Sequence, residues 1–81
     1  MKIPRDLSSD NLIKLLDKFG YTITRQTRSH IGLTSSFKEK EHHITIPLKK
    51  SFKIGTLNNI INDISEYLEI EKKELLLQLF G

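Results

Sequence analysis

The chain has no cysteine and no tryptophan, only two prolines and four glycines in 81 residues, and no long apolar run. Without cysteine there is no disulfide framework, no thiolate metal site and no cysteine nucleophile. That usage fits a reducing compartment. No stretch approaches the roughly 18–20 apolar residues of a transmembrane helix. Residues 1–7 carry no apolar run of signal-peptide length. A cytoplasmic protein with no membrane partner is the expectation. The length fits one domain spanning 1–81, with a core unit over 1–68 and a helical extension over 69–81. A chain this short buries about 60–65% of its unfolded surface, which limits its stability to about 4–12 kcal/mol.

What is present is positive charge, unevenly spread. The net charge is +3, yet residues 1–53 carry eleven Lys and Arg against five Asp and Glu, and residues 54–81 carry two against five. A basic first part suits an acidic partner, and nucleic acid is the obvious class. A lysine-rich composition alone also produces such a balance. With two Tyr and four Phe, mostly at core positions of the pattern, only Tyr21, Phe37 and Phe52 are candidates to stack on unpaired bases.

Periodicity divides the chain. Pro4 argues for an extended lead-in over 1–7. Ser8 or Ser9 caps a helix over 9–19, with Asp10 in its first turn and Leu12, Ile13, Leu15, Leu16 and Phe19 forming an apolar face. Gly20 stops it. Residues 21–26 alternate and are β-branched or aromatic, giving a first strand. A tight connection at Thr27-Arg28 leads to a second strand over 29–35. Residues 37–41 form an exposed polar loop, and a third strand covers 42–47. A basic connector, 48–53, precedes a helix started by Gly55 or capped by Thr56. Its face is Leu57, Ile60, Ile61, Ile64 and Leu68. A last helix over 71–79 is apolar nearly all round, so it either folds back on the core or meets a partner. The order α-β-β-β-α, plus this extra C-terminal helix, predicts an α+β two-layer sandwich like the double-stranded RNA-binding domain, with both helices on one sheet face and the other face open.

Within that frame the segment 25–34 stands out. Alternation sends Ile31 and Leu33 to the core and His30, Gly32 and Thr34 to the open face. His30 then stands between Arg25 and Arg28, beside a glycine that leaves room for a ligand. A histidine in a basic, solvent-facing setting is a candidate acid or base for phosphodiester chemistry, although a lone strand histidine is also simply polar surface. Of the adjacent pair His42 and His43, only His43 shares the face of His30. It is a polar face residue near a ligand, a second proton carrier, or half of a metal site that lacks a third ligand, since Glu39 and Glu41 lie on a loop. Lys38, Lys40, Lys49, Lys50 and Lys53 read as phosphate-backbone contacts or as solvated lysines.

The ordered set Leu7-Ser8, Leu12-Ile13-Lys14-Leu15-Leu16, Phe19-Gly20-Tyr21, Arg25 to Ile31, His42 to Pro47 and Lys53 to Leu57 resembles the HicA (YcfA-like) toxins of toxin–antitoxin pairs, over about residues 3–68. The resemblance implies a small cytoplasmic ribonuclease that cleaves mRNA without the ribosome and stops growth. It also implies a double-stranded RNA-binding fold and a HicB antitoxin that covers the active site. The family's catalytic histidine, commonly written Gly-Ser-His, falls on His30. Arg28 departs from the pattern where the glycine commonly stands, which either alters the turn or adds a phosphate contact. Arg25, Arg28, Ser29, His43, Lys49, Lys50 and Lys53 are the candidate RNA contacts. No cofactor or metal is implied, because RNA supplies its own 2′-hydroxyl nucleophile. The rival readings are a non-catalytic double-stranded RNA-binding module and a protein-interaction domain working through the last helix.

Overall fold

The computed structural model of the protein describes residue 4 and residues 6–81, so the lead-in expected over 1–7 falls largely outside the described residues. Helix α1, Ser9–Leu16, begins where the Ser8 hydroxyl accepts the Asn11 amide at 3.2 Å. Asp10 in the first turn suits the helix dipole. The helix tightens into a single 3₁₀ turn, Asp17–Phe19, and stops at Gly20, whose φ of 80° is left-handed. The expected helix is therefore two segments. Tyr21 follows outside any strand and is buried.

Strands β1 (Thr22–Gln26), β2 (His30–Ser35) and β3 (His42–Pro47) form an antiparallel sheet in that order. Ile31, Leu33, Ile44 and Ile46 point to the helices, as alternation requires. In β1 the alternation breaks. Ile23 pairs with Leu33 and Arg25 with Gly32, so Thr24 is an extra residue, a β-bulge, and every β1 side chain is exposed.

Helix α2, Ile54–Leu68, starts one residue before Gly55. Its N-cap is Lys53, which supplies no side-chain bond, and Thr56 lies inside the first turn. The Lys53 carbonyl accepts the Leu57 amide at 3.0 Å, so the ladder begins there. Glu69 takes a left-handed φ of 58° and ends the helix. Helix α3, Lys72–Phe80, folds back. Leu75, Leu76 and Leu79 are buried in the same core as Leu12, Leu16, Leu57, Ile61 and Ile64, and only Leu77 among its leucines is half exposed. Most of the apolar surface of this helix is spent inside the molecule.

Two polar arrangements bind the layers. Ser9 and Lys49, forty residues apart, are clasped: the Ser9 amide and hydroxyl donate to the Lys49 carbonyl at 3.0 and 3.2 Å, and the Lys49 amide reaches the Ser9 hydroxyl at 3.2 Å. On the helix side of the sheet, His42 gives Nε2–H to Asp63 at 3.2 Å, which leaves Nδ1 to accept the Tyr21 hydroxyl at 2.7 Å. The His42 ring stacks on Tyr67 at 4.6 Å. The Tyr67 hydroxyl lies between the Ser35 and Lys40 carbonyls and accepts the Lys38 amide, pinning the loop over residues 36–41. Burial, with Tyr67 and Asp63 as lesser causes, pushes the Tyr21 phenol well above its usual range.

Candidate active site

The open face of the sheet carries Thr34, Gly32 and His30 from β2 and their partners His43, Thr45 and Pro47 from β3. His30 is exposed at the first position of β2, next to the β1–β2 turn. The turn is closed from its Thr27 side. The Thr27 amide donates to the His30 carbonyl at 2.9 Å, and the Thr27 hydroxyl accepts the His30 amide at 3.1 Å. That hydroxyl replaces a backbone carbonyl, the local bonding that makes threonine a turn residue. Ser29 belongs to the turn rather than to the strand, and its hydroxyl lies 2.8 Å from His30 Nδ1. Among the described residues only Glu69 and Gly20 have positive φ. Arg28 therefore adopts ordinary backbone, and the turn makes no conformational demand for glycine there.

Arg25 reaches the open face because of the bulge. A strict alternation from Ile23 would have kept both residues on one face; with Thr24 extra, Arg25 stands opposite Gly32. A Cβ on Gly32 would come within 3.1 Å of Arg25 Cβ. The room beside Gly32 is thus taken by the chain's own arginine stem, not left for a ligand's backbone. Arg25, Thr27, His30, Gly32 and Thr45 line a depression of about 170 Å³. Thr27 adds a site residue beyond those expected from spacing; a hydroxyl residue at a tight connection is the sequence signal that marks it.

The other expected contacts divide into two groups. The Leu48 amide donates to the Ser29 carbonyl at 2.9 Å, so the connector bearing Lys49, Lys50 and Lys53 leaves the sheet beside the β1–β2 turn. Those three lysines and Arg28 are exposed at the same end as His30. Lys38 and Lys40 lie in the β2–β3 loop at the far end, where Lys38 meets Glu69 at 3.8 Å. His43 pairs with Thr34, four residues along β2 from His30, which is about 13 Å of strand. It bonds Thr34 at 2.9 Å, and Thr34 bonds Thr24 at 2.7 Å. His43 and His30 do not share a ligand-sized site. Among the described residues no three His, Asp or Glu side chains gather around a point that would hold a metal ion. Of the aromatic residues considered for stacking, Tyr21 and Phe52 are buried; Phe37 is exposed but packs edge-on against Phe19.

No helix among the described residues is long and apolar enough to cross a membrane. No curated protein and no solved structure matches the chain. A family model does: the HicA toxin of bacterial toxin–antitoxin systems matches residues 9–65, from the first residue of α1 almost to the end of α2. The match takes in the whole sheet, the β1–β2 turn and the basic connector, and the chain belongs to the HicA toxin family of toxin–antitoxin systems.

Proposed function

We propose that this toxin is a cytoplasmic, metal-independent endoribonuclease that cuts mRNA, with His30 as the proton-transferring residue and a HicB-type antitoxin as its neutralising partner. The observation that carries the reading is the depression in which His30 and Arg25 face solvent together, with no carboxylate in its lining. The RNA 2′-hydroxyl is the nucleophile. Its oxygen attacks the adjacent phosphorus while its proton passes to a base. The P–O5′ bond breaks, the 5′ oxygen takes a proton from an acid, and a 2′,3′-cyclic phosphate remains. An imidazole can both take up and give up a proton, so His30 serves either proton role. Arg25 and Arg28 hold the phosphate oxygens and balance the charge that develops on them. Lys49, Lys50 and Lys53 supply backbone contacts that carry affinity but no sequence preference. An antitoxin lying over the open face would bury His30 and Arg25 together.

The test is incubation of a structured mRNA with the purified protein and its His30→Ala variant in EDTA, with mapping of product ends. Cleavage by the unsubstituted protein alone, leaving cyclic phosphate, is expected. Equal cleavage by both would remove His30 from the mechanism. Salt-sensitive binding by both without cleavage would replace the reading with a non-catalytic double-stranded RNA-binding module.

A further inference from the structure

Side chains adjacent in a strand point to opposite faces, so consecutive residues rarely meet. Ser29 and His30 meet because Ser29 sits in the turn and His30 opens the strand. The backbone on both sides of the imidazole is fixed: Thr27 bonds the His30 amide and carbonyl, and Leu48 bonds the Ser29 carbonyl. Among the described residues, the ring's hydrogen bond is the 2.8 Å contact between Ser29 Oγ and His30 Nδ1.

A hydroxyl can donate to or accept from an imidazole nitrogen. Only acceptance survives protonation, because the cation carries a proton on both nitrogens and offers no lone pair. A donating hydroxyl would have to turn each time the ring gained or lost its proton. The charged group that lines the depression with the ring is Arg25 from β1, while the β3 side offers Thr45 and Pro47. No carboxylate in the lining competes for Nδ1.

We propose that Ser29 accepts the Nδ1–H of His30 in both protonation states and thereby commits Nε2 as the nitrogen that exchanges protons with the ligand. Ser29 is then a positioning residue, not a phosphate contact. Its catalytic consequence rests on the ribonuclease reading; the tautomer does not.

The experiment is nitrogen NMR of the ¹⁵N-labelled full chain from about pH 5 to about pH 9, a range that spans the ordinary histidine titration. Long-range ¹⁵N–¹H correlations identify which nitrogen holds the proton. Neutral His30 is expected mainly as the Nδ1–H tautomer. Ser29→Ala should move it toward Nε2–H, and Ser29→Thr should restore it. In mRNA cleavage, Ser29→Ala should lower kcat about five- to tenfold with KM little changed, the size of one lost hydrogen bond. An Nε2–H tautomer in the unsubstituted protein, or a ratio that Ser29→Ala leaves unmoved, overturns the proposal. So does a raised KM at unchanged kcat, which would make Ser29 a phosphate ligand. A tautomer that behaves as expected in a protein that cuts no RNA upholds the positioning and removes the ribonuclease reading.

Discussion

His30 contributes little to the fold, since its side chain is exposed and its hydrogen bond is to a neighbouring exposed serine. His30→Ala should change unfolding free energy by no more than about 0.5 kcal/mol, while mRNA cleavage falls by about 10²–10⁴-fold, the usual worth of a general acid or base. Denaturant melts beside cleavage rates check both halves. Gly32 offers a second handle. An added methyl would meet Arg25 Cβ at 3.1 Å, a contact relieved by a shift of a few tenths of an ångström, so Gly32→Ala should weaken RNA binding, but by less than the roughly tenfold or more of Arg25→Ala. In an Arg25→Ala background the same substitution should have little further effect, and a double-mutant cycle measures that coupling. Alternation was enough to put His30 on the open face. It was not enough for Arg25, because an inserted residue reverses the faces and Ile23-Thr24-Arg25 carries no mark of a bulge.

At the scale of elements, α3 is held by its leucines. Leu75→Ala should cost about 2–5 kcal/mol, a large share of what a chain this short possesses, and thermal unfolding will show it. The α2–β3 contact depends on Tyr21, His42 and Asp63. The Tyr21 phenol is held neutral in the fold beyond the pH at which an unfolded chain ionises it, about 10. Above that pH the unfolded state binds fewer protons than the native state, so stability is intact below pH about 10 and falls by up to about 1.4 kcal/mol per unit above it. Tyr21→Phe should remove that part of the alkaline loss; urea unfolding at several pH values reads the slope. Element order and most boundaries followed from periodicity. The fate of α3 did not, because a helix apolar on all sides gives no direction for its burial.

Across the whole molecule the basic residues of the turn and connector share one end of the sheet, while Asp63, Glu66 and Glu74 sit on α2 and α3 and Glu69 and Glu71 between those helices. With Arg25, Arg28, Lys49, Lys50 and Lys53 each meeting a phosphate of a single strand, log affinity should fall with log salt at a slope of roughly −3 to −4. Each single substitution to Ala should reduce that slope by about 0.7, whatever the RNA sequence. The gathering of these residues depends on Leu48 meeting Ser29, the rung that follows His30 and Pro47 in the β2–β3 hairpin, so the register of that hairpin brings the connector to the β1–β2 turn.

The clasp between Ser9 and Lys49 also bears on the order of events in folding. Closing a forty-residue loop costs about 2 kcal/mol more entropy than closing a four-residue turn, so local hairpins form before this contact does. The docking of the basic connector on α1 is therefore among the last contacts to form. Ser9→Ala should speed unfolding and leave the refolding rate nearly unchanged, with a φ-value close to zero.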